Sequence, residues 1–159
     1  MLDVKTALPF LLNRAGLRTA EVFTARELDR HDITLPMYRV LATLARNDDQ
    51  RLGDLAALAD MEVSTLSRLI GSMQTRRLVT RRRSGKDARA VRIRISDHGR
   101  SLTQKLVAAA SNYEAAMTRN LQPRQVQELK RTLAQLDETI GALEAEFAAG
   151  KARRRQSAA

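Results

Sequence analysis

The sequence has no cysteine and few aromatic residues, and both shortages limit what the chain can be. Without cysteine it cannot form disulfides, thiolate metal sites or thiol redox sensors. Aromatic residues make up only 3% of the chain, so its core must be built mainly from Leu, Ile, Val, Ala and Met. The lack of cysteine agrees with a reducing compartment, and we expect a cytoplasmic protein.

Long apolar runs are also missing. No uninterrupted apolar stretch reaches the roughly 18 residues that a membrane span requires. Residues 1–16 contain only a short apolar patch, and no small-residue cleavage site follows it. We therefore expect neither a secretory signal nor a membrane partner.

Residue types that carry catalysis are scarce. The chain has two histidines, His31 and His98, no glycine-rich phosphate loop, and no obvious pair of carboxylates for acid–base chemistry. We therefore expect neither an enzyme nor a resident cofactor or metal ion.

What the chain does have is positive charge, with a formal net charge of +10. The charge is concentrated between Arg68 and Arg94, where ten basic residues accompany one acid, Asp87. A block of one sign repels itself unless an anionic partner neutralises it, so the pattern indicates a polyanionic partner.

The first half of the chain follows a helical pattern. Apolar residues recur at helical spacing over residues 4–28, and a second helix is expected to begin after Thr34, an N-cap, with Pro36 in its first turn. Two short helical segments, 51–58 and 63–77, follow and are joined by a tight turn. The second has a small and polar outer face, which is typical of a helix-turn-helix.

A β-hairpin is predicted directly after these helices. Its strands are residues 78–83 and 90–96, with Gly85 in the turn. In the second strand, β-branched residues alternate with Arg92 and Arg94, which is a strand signal. The hairpin therefore carries arginines on its outer face and near its tip.

The pattern returns to helix after Ser96, a possible cap, and a last helix is expected to begin at Pro123. Its apolar residues follow spacings of three and four, as in a heptad seam: Val126, Leu129, Leu133, Leu136, Ile140 and Leu143. The seam packs either against this chain's own helices or against a second copy, and its narrowness favours a homodimer.

These elements predict a mainly α fold with a small β-hairpin wing. Residues 46–96 are expected to form a winged helix-turn-helix DNA-binding region. Residues 1–45 and 97–148 are expected to form a helical dimerisation region. The basic segment 149–159 is expected to be a disordered tail, since its composition gives it little apolar surface to bury.

The order of these elements over residues 5–148 resembles the MarR family of bacterial regulators. The segment that begins at Asp87 and Arg89, continues as an alternating strand and ends at Ser96 and Gly99 resembles the family's wing signature. Residues 63–70 resemble its recognition helix. Arg77 stands where the family commonly has glycine, and because arginine is strained in a left-handed cap, we expect this helix to end differently.

Residues for DNA recognition follow from the pattern and the resemblance. A recognition helix places small polar groups and one long donor against base edges: Ser64, Thr65, Ser67 and Arg68. Arg68 either binds a guanine or holds only a phosphate, and Ser64 or Thr65 could instead only cap the helix.

The resemblance also implies a role for the wing. It implies that Arg89 contacts the minor groove or the DNA backbone, with Asp87 holding Arg89 in place by a salt bridge. The other basic residues near the wing would attract phosphates, although not all can face DNA at once: Arg81, Arg82, Arg83, Lys86, Arg92 and Arg94.

The resemblance further implies a small-molecule effector, often an aromatic acid or a derivative of one, bound where the dimer helices meet the DNA-binding region. The candidate residues are two arginines of the first helix and a group near the second: Arg14, Arg18, His31, Tyr38 and Arg39. Each also has a simpler interpretation, as a surface charge, a helix-end residue or, for Tyr38, a core residue.

Together these features favour a sequence-specific regulator of transcription. It would act as a homodimeric repressor on an inverted-repeat operator in double-stranded DNA, released by an aromatic anion or its thioester. The alternative is an architectural protein that coats nucleic acid without sequence preference, which the charge alone fits equally well.

Overall fold

The computed structural model describes residues 4–83 and 91–156, and the chain divides after Tyr113 into two units. Six α-helices and three β-strands are seen in these described ranges. They are α1 (Leu8–Phe23), α2 (Leu35–Arg46), β1 (Gln50–Arg51), α3 (Leu52–Leu58), α4 (Val63–Thr75), β2 (Val79–Arg83), β3 (Val91–Ile95), α5 (Asp97–Met117) and α6 (Pro123–Gln156). The mainly α fold with a small hairpin is confirmed.

The first helix starts later than the sequence pattern predicts, and the helical run that it begins continues past the predicted end at residue 28. It begins at Leu8, because Pro9 suits a first helical turn, and α1 passes into a π-helical segment, Thr24–Leu28. A 3₁₀ turn, Asp29–His31, completes the run, which stops at Asp32 in a left-handed conformation with φ 54°. The side chains of Phe23 and Leu28, near this end of the run, are buried in the core.

The predicted start of α2 is confirmed. The Thr34 hydroxyl accepts a hydrogen bond from the Met37 amide at 3.4 Å, and proline lies in the first turn. All four residues of the predicted apolar stripe are buried: Met37, Val40, Leu41 and Leu44.

The helix-turn-helix is confirmed as α3 and α4. Between them Asp60 takes φ 54°, and the Met61 amide donates to the Ala56 carbonyl at 2.9 Å, which ends α3 sharply. The inner side of α4 is formed by Leu66, Ile70 and Met73, each with no exposed surface.

The two predicted strands of the hairpin are confirmed as β2 and β3, and they belong to a three-stranded antiparallel sheet in the order β1-β3-β2. The predicted turn at Gly85 lies outside the described residues. The short β1 strand is an addition that sequence patterning does not predict, because two residues carry no periodic signal. Ile93 is fully buried and Ile95 nearly so, which fixes the sheet on the same core as α4.

The end of α4 differs from the sequence prediction. Arg77 does take the left-handed conformation, with φ 55°, and the Leu78 amide donates to the Met73 carbonyl at 2.9 Å. The expectation that arginine would change the helix end is therefore wrong. The reason is tertiary: Leu78 is only 1% exposed, and its burial outweighs a conformational cost of about 1–2 kcal/mol.

The predicted cap of α5 is confirmed, because the Ser96 hydroxyl accepts a hydrogen bond from the Gly99 amide at 2.9 Å. Gly99 is buried, and the space beside it is filled by the Leu78 carbonyl. This close approach explains the glycine in the wing signature.

The second unit contains the end of α5 and all of α6. Pro123 is the first residue of α6, as predicted, and the Gln125 side chain accepts a hydrogen bond from the Gln122 amide at 2.8 Å. An ion pair at 2.6 Å joins Lys130 to Glu114.

The α6 helix continues to Gln156, whereas the sequence indicates disorder from residue 149. The structure differs because residues 149–156, apart from Gly150, are Ala, Lys, Arg and Gln, which are strong helix formers. Among the described helices, none combines the length and the apolar character that crossing a membrane demands.

Candidate nucleic-acid interface

The outer face of α4 is polar and has no partner among the described residues. Ser64, Thr65 and Arg68 are exposed and Ser67 is half-buried, while the opposite side of the helix is packed into the core. No hydrogen bond or ion pair joins these four side chains to other described residues. The face is therefore free to bind groups outside the chain.

The start of α4 decides between two interpretations of its hydroxyls. The N-cap position is Glu62, and Val63 is the first helical residue. Ser64 and Thr65 therefore lie within the first turn, and the alternative that one of them only caps the helix is wrong. The Glu62 side chain makes no capping hydrogen bond.

The strand register divides the wing arginines between two faces of the sheet. Arg81 pairs with Ile93 and Arg83 with Val91, whereas Arg82 pairs with Arg92. Residues directly opposite each other in an antiparallel pair share a face. Arg81 thus shares a face with Ile93, while Arg82, Arg92 and Arg94 share the other.

Arg92 is engaged within the protein. Its Nε donates to the Asp49 carboxylate at 2.9 Å, and its guanidinium also bonds to the Asp49 carbonyl. The hydrogen bond from Arg92 holds the pKa of the Asp49 carboxyl below its usual value and raises the pKa of Arg92. Arg92 therefore fixes the root of the wing through Asp49, and its attraction of phosphate stays a prediction.

Asp48 is a second anchor at the root of the wing, and sequence reasoning missed it. Its Oδ1 accepts a hydrogen bond from the Ile95 amide at 2.9 Å, and its Oδ2 accepts one from Arg100 at 3.0 Å. The sequence shows residues 47–49 only as a break in the helical pattern. Two adjacent acids in a basic region were the available signal.

The residues of the wing tip, Lys86, Asp87 and Arg89, lie outside the described residues. Their contacts with DNA and the Asp87–Arg89 salt bridge stay predictions.

The candidate effector residues are not joined to one another. The Arg14 guanidinium lies 5.6 Å from the centre of the Phe10 ring, and Arg18 and Arg39 are exposed. His31 is exposed, and its carbonyl accepts a hydrogen bond from Arg76 at 3.0 Å. No bond or ring contact between any two of the five residues is found in the described part of the chain.

Tyr38 belongs to an aromatic cluster with Phe23 and Tyr113. The Phe23 ring centre lies 5.4 Å from that of Tyr38 and 5.5 Å from that of Tyr113. The Tyr113 hydroxyl donates to the Thr19 carbonyl at 3.2 Å, and burial raises the pKa of Tyr38. Phe23 and Tyr113 were not singled out from the sequence, because each also fits the apolar stripe of its helix.

The predicted seam of α6 remains largely exposed in the single chain. Its apolar residues Leu129, Leu133, Ile140 and Leu143 are each exposed by 40% or more. Exposed apolar side chains also occur on α1, including Leu8 and Leu17.

Metal binding has no support in the described ranges, where no cluster of three or more His, Asp or Glu residues is found.

Comparison with known proteins identifies the family. A sequence model described as MarR family matches residues 31–90. The structure of a MarR-family transcriptional regulator from Silicibacter pomeroyi DSS-3 is 30% identical, with a TM-score of 0.71, and the alignment covers 86% of this chain and 98% of that one. No curated protein sequence is similar enough to count as a match.

Two more distant structures share the fold. The transcriptional repressor CouR, bound to a 23-mer DNA duplex, is 23% identical with a TM-score of 0.78, and the alignment covers 86% of this chain and 98% of that one. BpsR of Bordetella bronchiseptica, whose DNA binding is regulated by 6-hydroxynicotinic acid, is 20% identical with a TM-score of 0.80, and the alignment covers 86% of this chain and 97% of that one.

Members of the MarR family are transcription regulators and not enzymes, in agreement with the sequence prediction. With its helix-turn-helix, its hairpin wing and a relative at 30% identity over nearly the whole of that relative, the chain belongs to the MarR family of winged-helix transcriptional regulators.

Proposed function

We propose that this protein is a homodimeric repressor that binds an inverted-repeat operator and is released by a small aromatic anion. The observation that carries the proposal is the polar, unpartnered face of α4 beside an arginine-rich hairpin.

The α4 face has the chemistry that reading base edges requires. Ser64 and Thr65 supply short hydroxyls, and Arg68 supplies a long planar donor that can bind guanine through two hydrogen bonds. The other side of α4 is packed without exposed surface, so the helix presents these groups in a fixed geometry. Specificity requires such preorganisation, because each well-placed contact contributes about 1–3 kcal/mol.

The wing and the net charge supply the attraction to phosphates. Arg81, Arg82 and Arg94 are exposed, and the chain carries a formal charge of +10. Phosphate contacts fix the register of a protein on DNA but do not read its sequence. We therefore expect operator affinity to fall steeply with salt.

The α6 seam supports the homodimer. A row of half-exposed leucines and isoleucine at heptad spacing is costly in water and is covered when two copies meet. A two-fold dimer presents two copies of α4, so its operator would be an inverted repeat with half-sites about 10 base pairs apart. CouR, of the same fold, is a repressor bound to a DNA duplex.

The test of DNA recognition is a selection on random duplexes followed by competition with bulk DNA. We expect an enriched dyad motif, and Arg68→Ala should cost about 1–3 kcal/mol and relax preference at one base position. Arg119→Ala, at an exposed arginine of the second unit, removes the same charge and should change neither. If no dyad motif is enriched, the protein is instead an architectural DNA-binding protein.

The aromatic cluster supports an aromatic effector. The rings of Phe23, Tyr38 and Tyr113 could extend their packing to a further ring, and Arg14 and Arg18 on α1 could neutralise a carboxylate. BpsR responds to one such acid, 6-hydroxynicotinic acid. Release requires little energy, since a tenfold loss of operator affinity corresponds to about 1.4 kcal/mol of coupling.

The test of release is a panel of aromatic acids and their thioesters, titrated against the operator complex at fixed ionic strength. Constant salt is needed because added anions weaken DNA binding by themselves. An effector must lower operator affinity, and saturating operator must weaken effector binding by the same factor. If no compound shifts operator affinity, the protein is a constitutive regulator.

A further inference from the structure

The segment directly after α4, residues 76–78, is joined to two other helices by side-chain hydrogen bonds. One connection is made by Arg76 and leads to the end of the helical run that starts with α1. The other is made by Ser96 and leads to α5.

Arg76 binds the last carbonyls of the first helical run. Its guanidinium donates to the His31 carbonyl at 3.0 Å and to the Asp32 carbonyl, and it forms an ion pair with the Asp32 carboxylate at 3.3 Å. It also contacts the Met37 sulfur at 3.4 Å, inside α2. Carbonyls at a helix end have no partner within the helix, so Arg76 caps this run from another helix.

Ser96 makes the second connection. Its hydroxyl lies 2.6 Å from the Arg77 carbonyl and accepts a hydrogen bond from the Gly99 amide in α5 at 2.9 Å. The Ser96 amide also donates to the Leu78 carbonyl at 3.0 Å. The end of α4 therefore sits between the corner formed by residues 31–34 and the start of α5.

We propose that Arg76 is a positioning residue that sets the orientation of α4 relative to the α1–α2 corner, and with it the separation of the two recognition helices in a dimer. The inference rests on the proposed function, a homodimer on an inverted repeat. Without Arg76 the side-chain hydrogen bonds of residues 76–78 lead only to Ser96, so the end of α4 is held less firmly against the α1–α2 corner, although its inner face remains packed in the core. Arginine suits this role because its planar group binds two carbonyls and a carboxylate together, which a lysine ammonium does not reproduce.

A role in positioning predicts a specific effect on DNA binding. A dimer with fixed recognition helices discriminates between operators that differ only in half-site spacing, and loosening the helices reduces that discrimination. Binding to a single half-site needs no fixed separation and is expected to stay unchanged. Loss of folding or of a direct DNA contact would instead weaken all of these sites together.

The experiment measures the affinity of the full-length protein for the selected operator, for versions with one or two base pairs added or removed between half-sites, and for an isolated half-site. For wild type we expect a loss of about tenfold or more when the spacing changes, as the helical repeat of DNA requires. The Arg76→Gln protein should bind the operator of optimal spacing less tightly than wild type does. The logarithm of its affinity loss on a change of spacing should be at most half that of wild type, and its affinity for the isolated half-site should be unchanged. Arg77→Gln removes the same charge one residue later and should behave as wild type.

Arg76→Lys serves as a second variant if Arg76→Gln does not fold, since it keeps the charge and removes the forked contact. The proposal is overturned if the folded variants keep the wild-type spacing profile, or if they weaken half-site and full-site binding equally. If wild type itself shows no spacing preference, the proposed mode of DNA binding fails, and the inference about Arg76 fails with it.

Discussion

Replacing Gly99 by alanine tests how closely α5 is fitted against the start of β2. A Cβ atom at this position would lie 2.1 Å from the Leu78 carbonyl oxygen and 3.1 Å from a side-chain carbon of Ile95. Real Cβ contacts are essentially never shorter than 3.0 Å, so the two backbones must separate by about 0.9 Å. Such a shift cannot be absorbed by a side chain, because the atom in the way belongs to the main chain.

The shift would also disturb the hydrogen bonds around Ser96. The Leu78 carbonyl accepts from the Ser96 amide at 3.0 Å, and the Ser96 hydroxyl caps α5 through the Gly99 amide at 2.9 Å. Overpacking costs about 1–3 kcal/mol, and each weakened hydrogen bond adds about 1 kcal/mol. We therefore expect Gly99→Ala to lower the free energy of unfolding by about 2–4 kcal/mol.

The assay is urea unfolding followed by circular dichroism at one fixed protein concentration, since a dimer's stability depends on concentration. The control is Gly71→Ala in α4, where an added Cβ meets no atom within 4 Å. Alanine favours a helix over glycine by about 1 kcal/mol, so the control should be as stable as wild type or more so. If Gly99→Ala is also as stable as wild type, the close approach of α5 and β2 has been misread.

Three further predictions concern other features. Arg77→Gly should raise the free energy of unfolding by about 0.5–1 kcal/mol, because glycine tolerates φ 55°; Arg77→Ala, which retains a Cβ, should not. The lowered pKa of Asp49 means that its bond to Arg92 stabilises the fold above the ordinary aspartate pKa of about 3.9 and is lost as the pH falls through the lower folded pKa. Asp49→Asn should therefore lower the free energy of unfolding at neutral pH. The difference from wild type should shrink when unfolding is measured at progressively lower pH, and a difference that stays constant would contradict this. Changing Leu133 and Leu136 of α6 together to Asp should give a monomer in sedimentation at micromolar concentration. In a dimer the new carboxylates would be buried without partners, at a cost of several kcal/mol. A monomeric wild type would remove the basis for this prediction.

Features that depend on neighbouring residues were predictable from the sequence. The start of α2 at Thr34 and the start of α6 at Pro123 follow from local capping chemistry, and both are confirmed. The polar face of α4 follows equally from helical periodicity. In each case the residues that determine the structure lie within one or two turns of each other.

Features that depend on distant residues were not predictable in this way. The bond between Arg76 and the His31 carbonyl joins residues 45 positions apart, and the bond between Arg100 and Asp48 joins residues 52 apart. Nothing in the local pattern distinguishes these arginines from those that face solvent. The left-handed Arg77 is a similar case, because the burial of Leu78 determines it and local propensity opposes it.

The order of strands in the sheet has a consequence for solubility. Since β3 is central, β2 has an edge that no other described strand pairs with, while the opposite edge belongs to the two-residue β1. An open edge is a template for association with another chain, and charged residues and very short edge strands are common protections against it. Residues 81–83 of β2 are all arginine, so the charge that we propose attracts DNA is also expected to keep this edge from pairing with a second molecule. Neutral substitutions designed to abolish phosphate contacts in β2 are therefore expected to promote aggregation. Glutamate separates the two effects, because it keeps a charge on the edge but repels phosphate.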